Sequence, residues 1–360
     1  MKKILSIHAV NVTAMGPVQV VSSLLSALEN IVGNEFSEIR VFIPDKEPLS
    51  EMSFNDPRFK LYKVINKLPN AISRTFDTCF PCKRIKNSDV VIVLGDIPLR
   101  VPLPQVVLVH QPHLISPKVD PHVYTSVRHR FMRFLFARNI RYLGHIVVQT
   151  AMMAEALQQS YPSLKGRVHT MYQPAPTWFN CEKIAASRVK PLKTCKLRLF
   201  YPAAYYPHKN HKIIGLVQKE SNYNHLVERI TLTIRYDECS LINSNSISFL
   251  GRISASECMN EYARADALFF PSIAESYGLP LVEAMLLGMP VICSDLPYAH
   301  DLCGKEAIYF DPEKASSVIE AFNILQQRLK GGWQPDWSSQ LGKLPKDWEE
   351  VSHYFLKTIQ

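Results

Sequence analysis

The sequence predicts an α/β protein made of two doubly wound domains that face each other across a cleft. Apolar runs of strand length alternate with helical segments along the whole chain. Within these runs the apolar residues are mostly continuous rather than alternating, which is typical of parallel strands buried on both faces of a sheet. The segment 174–195 lacks this pattern and carries several prolines and lysines, so we predict that it links the two domains.

The first domain is predicted over residues 1–173. A turn at Thr13–Val18 follows the first strand, and a helix at Val20–Asn30 follows the turn. Another helix is expected at Thr150–Ser160, where the threonine is suited to act as the N-cap. The predicted strands of this domain are 2–10, 38–44, 59–65, 89–95, 104–110 and 144–150.

The second domain is predicted over residues 196–344. Near its centre a strand, a loop, a helix and a further strand make one βαβ unit. Pro280 suits the first turn of that helix, which is predicted at Leu281–Leu287, and Gly288 is suited to end it. A final helix is expected within 345–360, where apolar residues recur at helical spacing. The strands are predicted at 196–203, 225–234, 246–251, 265–270 and 289–295.

The composition is that of a globular protein without a predicted membrane span. Of the 360 residues, 47% are hydrophobic and 20% are charged, and no run reaches the roughly 18 apolar residues of a spanning helix. The eight cysteines are scattered, as in proteins of the reducing cytoplasm, so we expect a cytoplasmic location. The net charge of +9 indicates an anionic partner. Nucleic acid is not expected as that partner, because the basic residues form no long tail.

The segment from Pro121 to Ala154 concentrates basic residues, because it contains five arginines and no acidic residue. On a helical projection of residues 123–143, apolar residues share one arc and arginines another, although Arg138 falls on the apolar arc. Such a helix suits the anionic inner face of the cytoplasmic membrane; the alternative is a core-packed helix with a solvated basic face. The apolar arc contains Tyr124, Val127, Phe131, Phe134, Leu135 and Tyr142, and the basic arc Arg130, Arg133 and Arg141.

The most informative motif is the pair Glu275 and Glu283, which have seven residues between them. Glu275 lies in the loop after a predicted strand, and Glu283 about one turn into the next helix, with its side chain angled toward the helix N-terminus. The N–H groups and the dipole at that N-terminus favour an anion such as a diphosphate. Two carboxylates beside it can bind hydroxyl groups, so the motif suits a nucleotide-sugar. Taken alone, the pair is also consistent with two solvated acids.

Two further residues lie at predicted strand ends and have side chains suited to ligand binding. Lys209, in the HKNH segment 208–211, follows the first strand of the second domain and can neutralise phosphate oxygens. His110 closes a buried strand of the first domain and can donate to a ligand hydroxyl or act in proton transfer. The alternatives are a solvated lysine and a structural histidine.

Together these segments resemble the retaining GT-B glycosyltransferases of family four, the glycosyl transferases group 1, of the type that builds bacterial surface polysaccharides. The resemblance is best from Lys196 to Phe310, where it depends on HKNH, on FLGRIS at 249–254 and on the segment with the glutamate pair. The first half matches only in outline, through Gly16, His110 and VVQTAMMAEAL at 147–157.

The resemblance implies a role for each residue. Glu275 is expected to contact hydroxyls of the donor sugar, Glu283 the ribose and Lys209 the diphosphate. His110 is expected near the reacting carbon, and Gly16 is expected to let its loop approach the phosphates. Glu275, His110 and Lys209 form the expected catalytic set. Backbone amides that assist at the diphosphate are expected at Ser276, Tyr277, Gly278 and Leu279.

The resemblance also implies the reaction and its partners. A hexose is transferred, with retention at the anomeric carbon, from a nucleotide-diphosphate sugar to a glycan acceptor, here a lipid-linked precursor of O-antigen or capsule. No cofactor and no metal are expected, because Lys209 and the helix N-terminus can stabilise the leaving diphosphate and no Asp-x-Asp motif occurs. Residues 345–360 are expected to return to the first domain, as in this fold.

One position departs from the family pattern. The family carries Gly-Arg four residues before the lysine, whereas this chain has Ala204 and Tyr205, so a cationic ligand of the diphosphate is missing. His208 and Arg252 are candidates to replace it. The loss leaves open a non-catalytic nucleotide-sugar-binding or scaffolding protein of the same fold. A dinucleotide-dependent oxidoreductase is disfavoured, because no G-x-G-x-x-G follows the first strand.

Overall fold

The computed structural model describes residues 2–65, 75, 78–123, 125–187, 196–239 and 245–359. Within it the chain forms two compact units. The first consists of residues 1–176 together with 345–360, and the second of residues 177–344. Each unit contains one parallel sheet with helices, so the predicted class of two doubly wound, Rossmann-like domains is confirmed.

The strands are Lys3–His8 (β1), Phe36–Pro44 (β2), Phe59–Val64 (β3), Val90–Val93 (β4), Gln105–Val109 (β5), His145–Val148 (β6), Val168–Thr170 (β7), Leu197–Tyr201 (β8), Val227–Leu232 (β9), Ile247–Phe249 (β10), Ala267–Phe270 (β11), Val291–Ser294 (β12) and Ile308–Phe310 (β13). The first unit has the order β3-β2-β1-β4-β5-β6-β7, and the second β10-β9-β8-β11-β12-β13. The order reverses beside the first strand of each unit. Ligands of doubly wound sheets bind at the carboxyl ends of the strands at this reversal point.

The helices of the described residues are Met15–Ile31 (α1), Val127–Asn139 (α2), Ala151–Ser160 (α3), Cys181–Ser187 (α4), Lys212–Val217 (α5), Tyr223–Leu226 (α6), Ala255–Arg264 (α7), Leu279–Leu286 (α8), Pro297–Cys303 (α9), Ala315–Lys330 (α10), Ser338–Leu341 (α11) and Trp348–Thr358 (α12). In the part of the chain that is described, no helix is both long and apolar enough to cross a bilayer.

All eleven predicted strands are present, with each end within two residues of the predicted position. The strands that the prediction missed, β7 and β13, have three residues each and lie at sheet edges. Only one residue of β7 is apolar, whereas β13 lies in an apolar run, 307–310, to which no strand was assigned. The predicted N-cap of α3 is also confirmed, because the Thr150 hydroxyl accepts a hydrogen bond from the Met153 N–H at 3.2 Å.

The prediction of a turn at Thr13–Val18 is wrong, because α1 already begins at Met15. The residue before the helix, Ala14, has no side chain that could cap it, so the sequence carries no start signal there. Gly16 therefore lies in the first turn of α1. A Cβ atom at this glycine would meet nothing within 4 Å.

The predicted apolar arc of the basic helix lies mainly at the surface, although one of its residues, Leu135, is buried. Val127, Phe131 and Phe134 are 81%, 44% and 59% exposed. Ser126 caps α2, which ends at Asn139, so the projection over 123–143 assumed a longer helix than exists. Tyr124 lies outside the described residues. The buried stripe instead has i, i+3, i+4, i+7 spacing and consists of Met132, Leu135, Phe136 and Asn139.

The last helix, α12, packs against α1 within the first unit. The Trp348 indole N–H donates to the Ala175 carbonyl at 2.8 Å, and the Ser352 hydroxyl to the Leu24 carbonyl at 3.3 Å. The Asp347 carboxylate caps the helix by accepting from the Glu350 N–H at 2.9 Å. The chain therefore begins and ends in the same unit.

The predicted linker, 174–195, contains the helix α4, which packs against α7 of the second unit. Just before it, the Phe179 ring lies edge-on to the Tyr262 ring at a centroid distance of 5.6 Å. The division between the units falls at Pro176 and Thr177. Residues 188–195 lie outside the described part of the chain.

Candidate functional site

Hydrogen bonds connect two loops of the second unit, which follow the carboxyl ends of the neighbouring strands β8 and β11. The Ile273 N–H donates to the His208 carbonyl at 2.8 Å. The Tyr201 hydroxyl donates to the Lys209 carbonyl at 2.7 Å and lies 3.0 Å from the Ser272 hydroxyl. Because Tyr201 and Ser272 are both fully buried, these contacts hold the two loops in a fixed register.

Lys209 and Glu275 form an ion pair across these two loops. The Lys209 ammonium lies 2.5 Å from Glu275 Oε1, and the two side chains are only 18% and 11% exposed. The same ammonium lies 5.7 Å from the centre of the Phe270 ring. Two residues that were predicted from separate segments are thus brought into direct contact at the reversal point of the sheet.

The helix α8 begins directly after this pair. Gly278 has a φ of 100°, which only glycine adopts readily, and the helix starts at Leu279, two residues before the predicted start. In its first turn Pro280 has no N–H, and the Leu281 N–H donates to the Gly278 carbonyl at 2.9 Å. Leu279 therefore carries the remaining N–H of this turn at the positive end of the helix dipole. Of the other two loop residues, Ser276 is half-buried and Tyr277 is buried. Gly288 follows the helix with a φ of 60°, as expected of a helix-ending glycine.

Glu283 is buried within α8, and its carboxylate meets a tyrosine of α7. Glu283 Oε2 accepts a hydrogen bond of 2.5 Å from the Tyr262 hydroxyl. Burial raises the pKa of Glu283 to about 7, although the tyrosine hydrogen bond opposes the shift. Since Tyr262 was not among the predicted residues, this contact is a finding of the structure. In the sequence Tyr262 cannot be told apart from any other core residue of an amphipathic helix.

The position of the missing arginine is occupied by an aromatic residue, Tyr205, next to histidines and a further tyrosine. Tyr205 is 44% exposed, and its ring lies 5.5 Å from that of His211. Burial, followed by the charge of Lys209, lowers the pKa of His211 to about 4, so its ring is neutral at physiological pH. The His208 ring stacks on Tyr206, and Arg252 is exposed. Replacement of the arginine by His208 or Arg252 stays a prediction.

His110 of the first unit directly follows β5, where it is 8% exposed. Its backbone N–H donates to Asp96 Oδ1 at 2.7 Å, and its ring interacts with the side chain of Gln149. Burial lowers the pKa of His110, so its ring is neutral at physiological pH. The joint action of His110 and Gly16 with Glu275 stays a prediction, because they belong to a different unit.

The three arginines predicted for membrane contact have different environments. Arg130 and Arg141 are exposed, and Arg141 lies over the Tyr142 ring at 4.9 Å. Arg133 is partly buried and donates to the His113 carbonyl at 2.9 Å, so it supports the fold of the first unit. Among the described residues, no group of three or more His, Cys, Asp or Glu side chains could hold a metal ion.

Residues 193–328 match the family model described as glycosyl transferases group 1. The matched segment lies within the second unit and makes up most of it. Lys209, Glu275 and Glu283 all lie inside the matched segment. The segment also contains α7 and therefore Tyr262.

The chain is similar to O-antigen chain mannosyltransferase RfbU of Salmonella typhimurium. The two are 24% identical over 221 residues, which are 60% of this chain and 60% of that protein. The chain therefore matches less than two thirds of the length of this curated relative.

Two solved structures show the same fold at low identity. Sucrose-phosphate synthase from Thermosynechococcus elongatus has a TM-score of 0.64 and 14% identity, with 99% of this chain and 96% of that chain covered. WaaG, a glycosyltransferase involved in lipopolysaccharide biosynthesis, has a TM-score of 0.62 and 14% identity, with 98% and 94% covered. These similarities confirm the predicted GT-B fold.

Proposed function

We propose that the protein is a retaining glycosyltransferase that moves a hexose from a nucleotide-diphosphate sugar to a glycan acceptor in surface polysaccharide synthesis. The observation that carries the proposal is the partly buried ion pair of Lys209 and Glu275, beside the N-terminus of α8, within the segment that matches the glycosyl transferases group 1 model. The similarity to an O-antigen chain mannosyltransferase supports mannose as the hexose and an O-antigen chain as the product.

The ion pair suggests how the donor is bound. A diphosphate placed at the N-terminus of α8 competes with Glu275 for the Lys209 ammonium. Once the lysine turns to the phosphate, the Glu275 carboxylate becomes available to accept hydrogen bonds from sugar hydroxyls. Negative charge then develops on the leaving diphosphate, and Lys209 with the helix dipole stabilises it through fixed electrostatics, without a metal.

We propose a lipid-linked acceptor at the surface of an anionic membrane, because α2 exposes apolar and basic side chains together. Val127, Phe131 and Phe134 are exposed on the same helix as Arg130. Exposed aromatic rings flanked by arginines suit the headgroup region of a bilayer. All four residues belong to the predicted arcs, and their exposure supports a peripheral location at the membrane surface.

Vesicle co-sedimentation tests the membrane contact. With vesicles of phosphatidylglycerol and phosphatidylethanolamine, the double variant Arg130→Glu with Phe134→Ser should bind several-fold less than the wild type. Arg133 is left intact because it donates to the His113 carbonyl. The control is Lys60→Glu, a charge reversal at an exposed position of β3 in the same unit. Equal loss of binding in both variants, or in neither, would contradict a contact through α2.

A second candidate function is a non-catalytic nucleotide-sugar-binding protein of the same fold. It is favoured by one observation, the exposed Tyr205 at the position where the family carries arginine, beside a neutral His211. With one fewer cation, the protein stabilises the charge of the leaving group less well than its relatives do. Such a protein binds the donor and transfers nothing.

Two measurements separate these functions. A thermal-shift panel of UDP-, GDP- and dTDP-sugars identifies the donor, since a bound ligand raises the melting temperature. The identified donor is then incubated with glycolipid acceptors extracted from bacterial membranes, and the products are weighed by mass spectrometry. Addition of one hexose supports transfer, whereas a melting shift without any product supports the binding protein. No shift with any sugar would contradict both.

A further inference from the structure

We infer that Tyr262 is a positioning residue of the donor site, which acts on the ligand through Glu283. The inference rests on the proposed function, in which Glu283 binds the ribose of the donor. Its basis is the hydrogen bond of 2.5 Å from the Tyr262 hydroxyl to Glu283 Oε2, which joins α7 to α8. Tyr262 itself is fully buried, so it acts on the carboxylate and does not contact the donor.

The tyrosine is held in place by aromatic packing from two sides. The Phe200 ring of β8 lies edge-on at a centroid distance of 5.0 Å, and the Phe179 ring, from the segment before α4, at 5.6 Å. Packing on two sides restricts rotation of the Tyr262 ring, so its hydroxyl stays directed at the Glu283 carboxylate. This packing explains how a buried glutamate keeps one oxygen in a defined position.

Among the described residues, Glu283 has no cationic partner. The groups that influence it are neutral: Tyr262, and Cys258 one turn earlier on α7, whose thiol has a pKa raised by its own burial and then by the charge of Glu283. Burial raises the pKa of the Tyr262 hydroxyl well above its ordinary value, so the hydroxyl keeps its proton and can donate it to the carboxylate. The Tyr262 hydrogen bond is thus the main interaction that favours the ionised carboxylate.

An ionised carboxylate accepts hydrogen bonds from hydroxyl groups more strongly than a neutral carboxyl does. With Oε2 engaged by Tyr262, Oε1 is left for a ribose hydroxyl. Without the tyrosine hydroxyl, the carboxylate loses both its orientation and the hydrogen bond that lowers its pKa. Nucleotide affinity should then fall, and the pH at which Glu283 ionises should rise.

The test compares the binding of UDP, GDP and dTDP by calorimetry between pH 5.5 and pH 9 in four proteins. In Tyr262→Phe the affinity for the preferred nucleotide should fall about threefold to tenfold at pH 7, with the pH midpoint moved upward. Glu283→Gln should bind weakly at every pH. The control is Tyr223→Phe, which removes another buried tyrosine hydroxyl, bonded to the Ser246 hydroxyl at 3.0 Å. It should match the wild type.

The outcomes separate the inference from the proposed function on which it rests. If the wild type binds a nucleotide and Glu283→Gln weakens it, but Tyr262→Phe keeps the wild-type affinity and pH midpoint, the role of Tyr262 is overturned alone. A shift of the midpoint in Tyr223→Phe equal to that in Tyr262→Phe would mean a general loss of stability and would also overturn it. If the wild type binds none of the nucleotides, the proposed donor site fails, and the inference fails with it.

Discussion

Replacement of Lys209 by methionine removes the cation of the candidate site and leaves most of the side-chain volume. In the structure the Lys209 ammonium lies 2.5 Å from Glu275 Oε1, and the exposed fractions of the two side chains are 18% and 11%. Removing one partner of a fully buried pair costs about 3–5 kcal/mol, whereas an exposed pair contributes about 1 kcal/mol or less. For this partly shielded pair we expect the free energy of unfolding to fall by about 1–3 kcal/mol.

The same substitution should affect the donor more than the fold. A hydrogen bond to a charged group contributes about 1.5–3 kcal/mol, so binding of the donor nucleotide should weaken by roughly 10-fold to 150-fold. The turnover number should fall by a further factor of about 100 or more, because Lys209 also stabilises the charge that develops on the leaving diphosphate. Calorimetry with the nucleotide and single-turnover transfer assays measure the two effects separately.

Two further variants keep this prediction open to refutation. Lys212→Met removes an exposed lysine three residues along the chain and should behave like the wild type. The double variant Lys209→Met with Glu275→Gln leaves no unpaired charge, so it should regain stability and remain inactive. If Lys209→Met binds donor and turns over as well as Lys212→Met does, the assignment of the lysine to the diphosphate is refuted.

Three other predictions follow from single observations. Gly278→Ala should lower the free energy of unfolding by about 1–2 kcal/mol in urea titrations, because its φ is 100° and a Cβ would lie 3.1 Å from Leu281 Cδ1; an unchanged midpoint would contradict this. The wild type should become less stable as the pH rises from 4.5 through 7, by up to about 3 kcal/mol, because burial raises the pKa of Glu283 to about 7 and its ionisation disfavours the folded state. Glu283→Gln should flatten that slope, and an identical slope in both proteins would disprove the assignment. Trp348→Phe should cost about 1 kcal/mol through loss of the hydrogen bond to the Ala175 carbonyl, measured by thermal unfolding against Trp333→Phe, whose indole is not buried.

The sheets could be predicted from the sequence because parallel strands buried on both faces give continuous apolar runs. The edge strand β7 escaped prediction because only one of its three residues is apolar, whereas β13 lies in a short apolar run that was not assigned to a strand. The start of α1 was missed because no polar residue caps it, and the buried face of α2 because its true length was not apparent. In both helices the error lies in where the helix begins or ends. Helix ends depend on local contacts that a helical projection of the sequence does not include.

The candidate site could be predicted in part for a similar reason. Lys209 and Glu275 each follow a strand, so the topology alone brings them to one edge of the sheet. Their direct ion pair could not be foreseen, since it depends on the contacts of Tyr201 and Ser272 that fix the two loops. The burial of Glu283 against Tyr262 depends on how α7 packs against α8, which one-dimensional periodicity does not determine.

The central claim is that Glu275 is required to transfer a sugar from a bound nucleotide donor. Mass spectrometry of membrane glycolipid acceptors, after incubation with the donor found by thermal shift, tests it most directly. We predict one added hexose with the wild type and with Glu313→Gln, an exposed control acid in the same unit, and none with Glu275→Gln at full donor occupancy. Wild-type product formation by Glu275→Gln would contradict the claim.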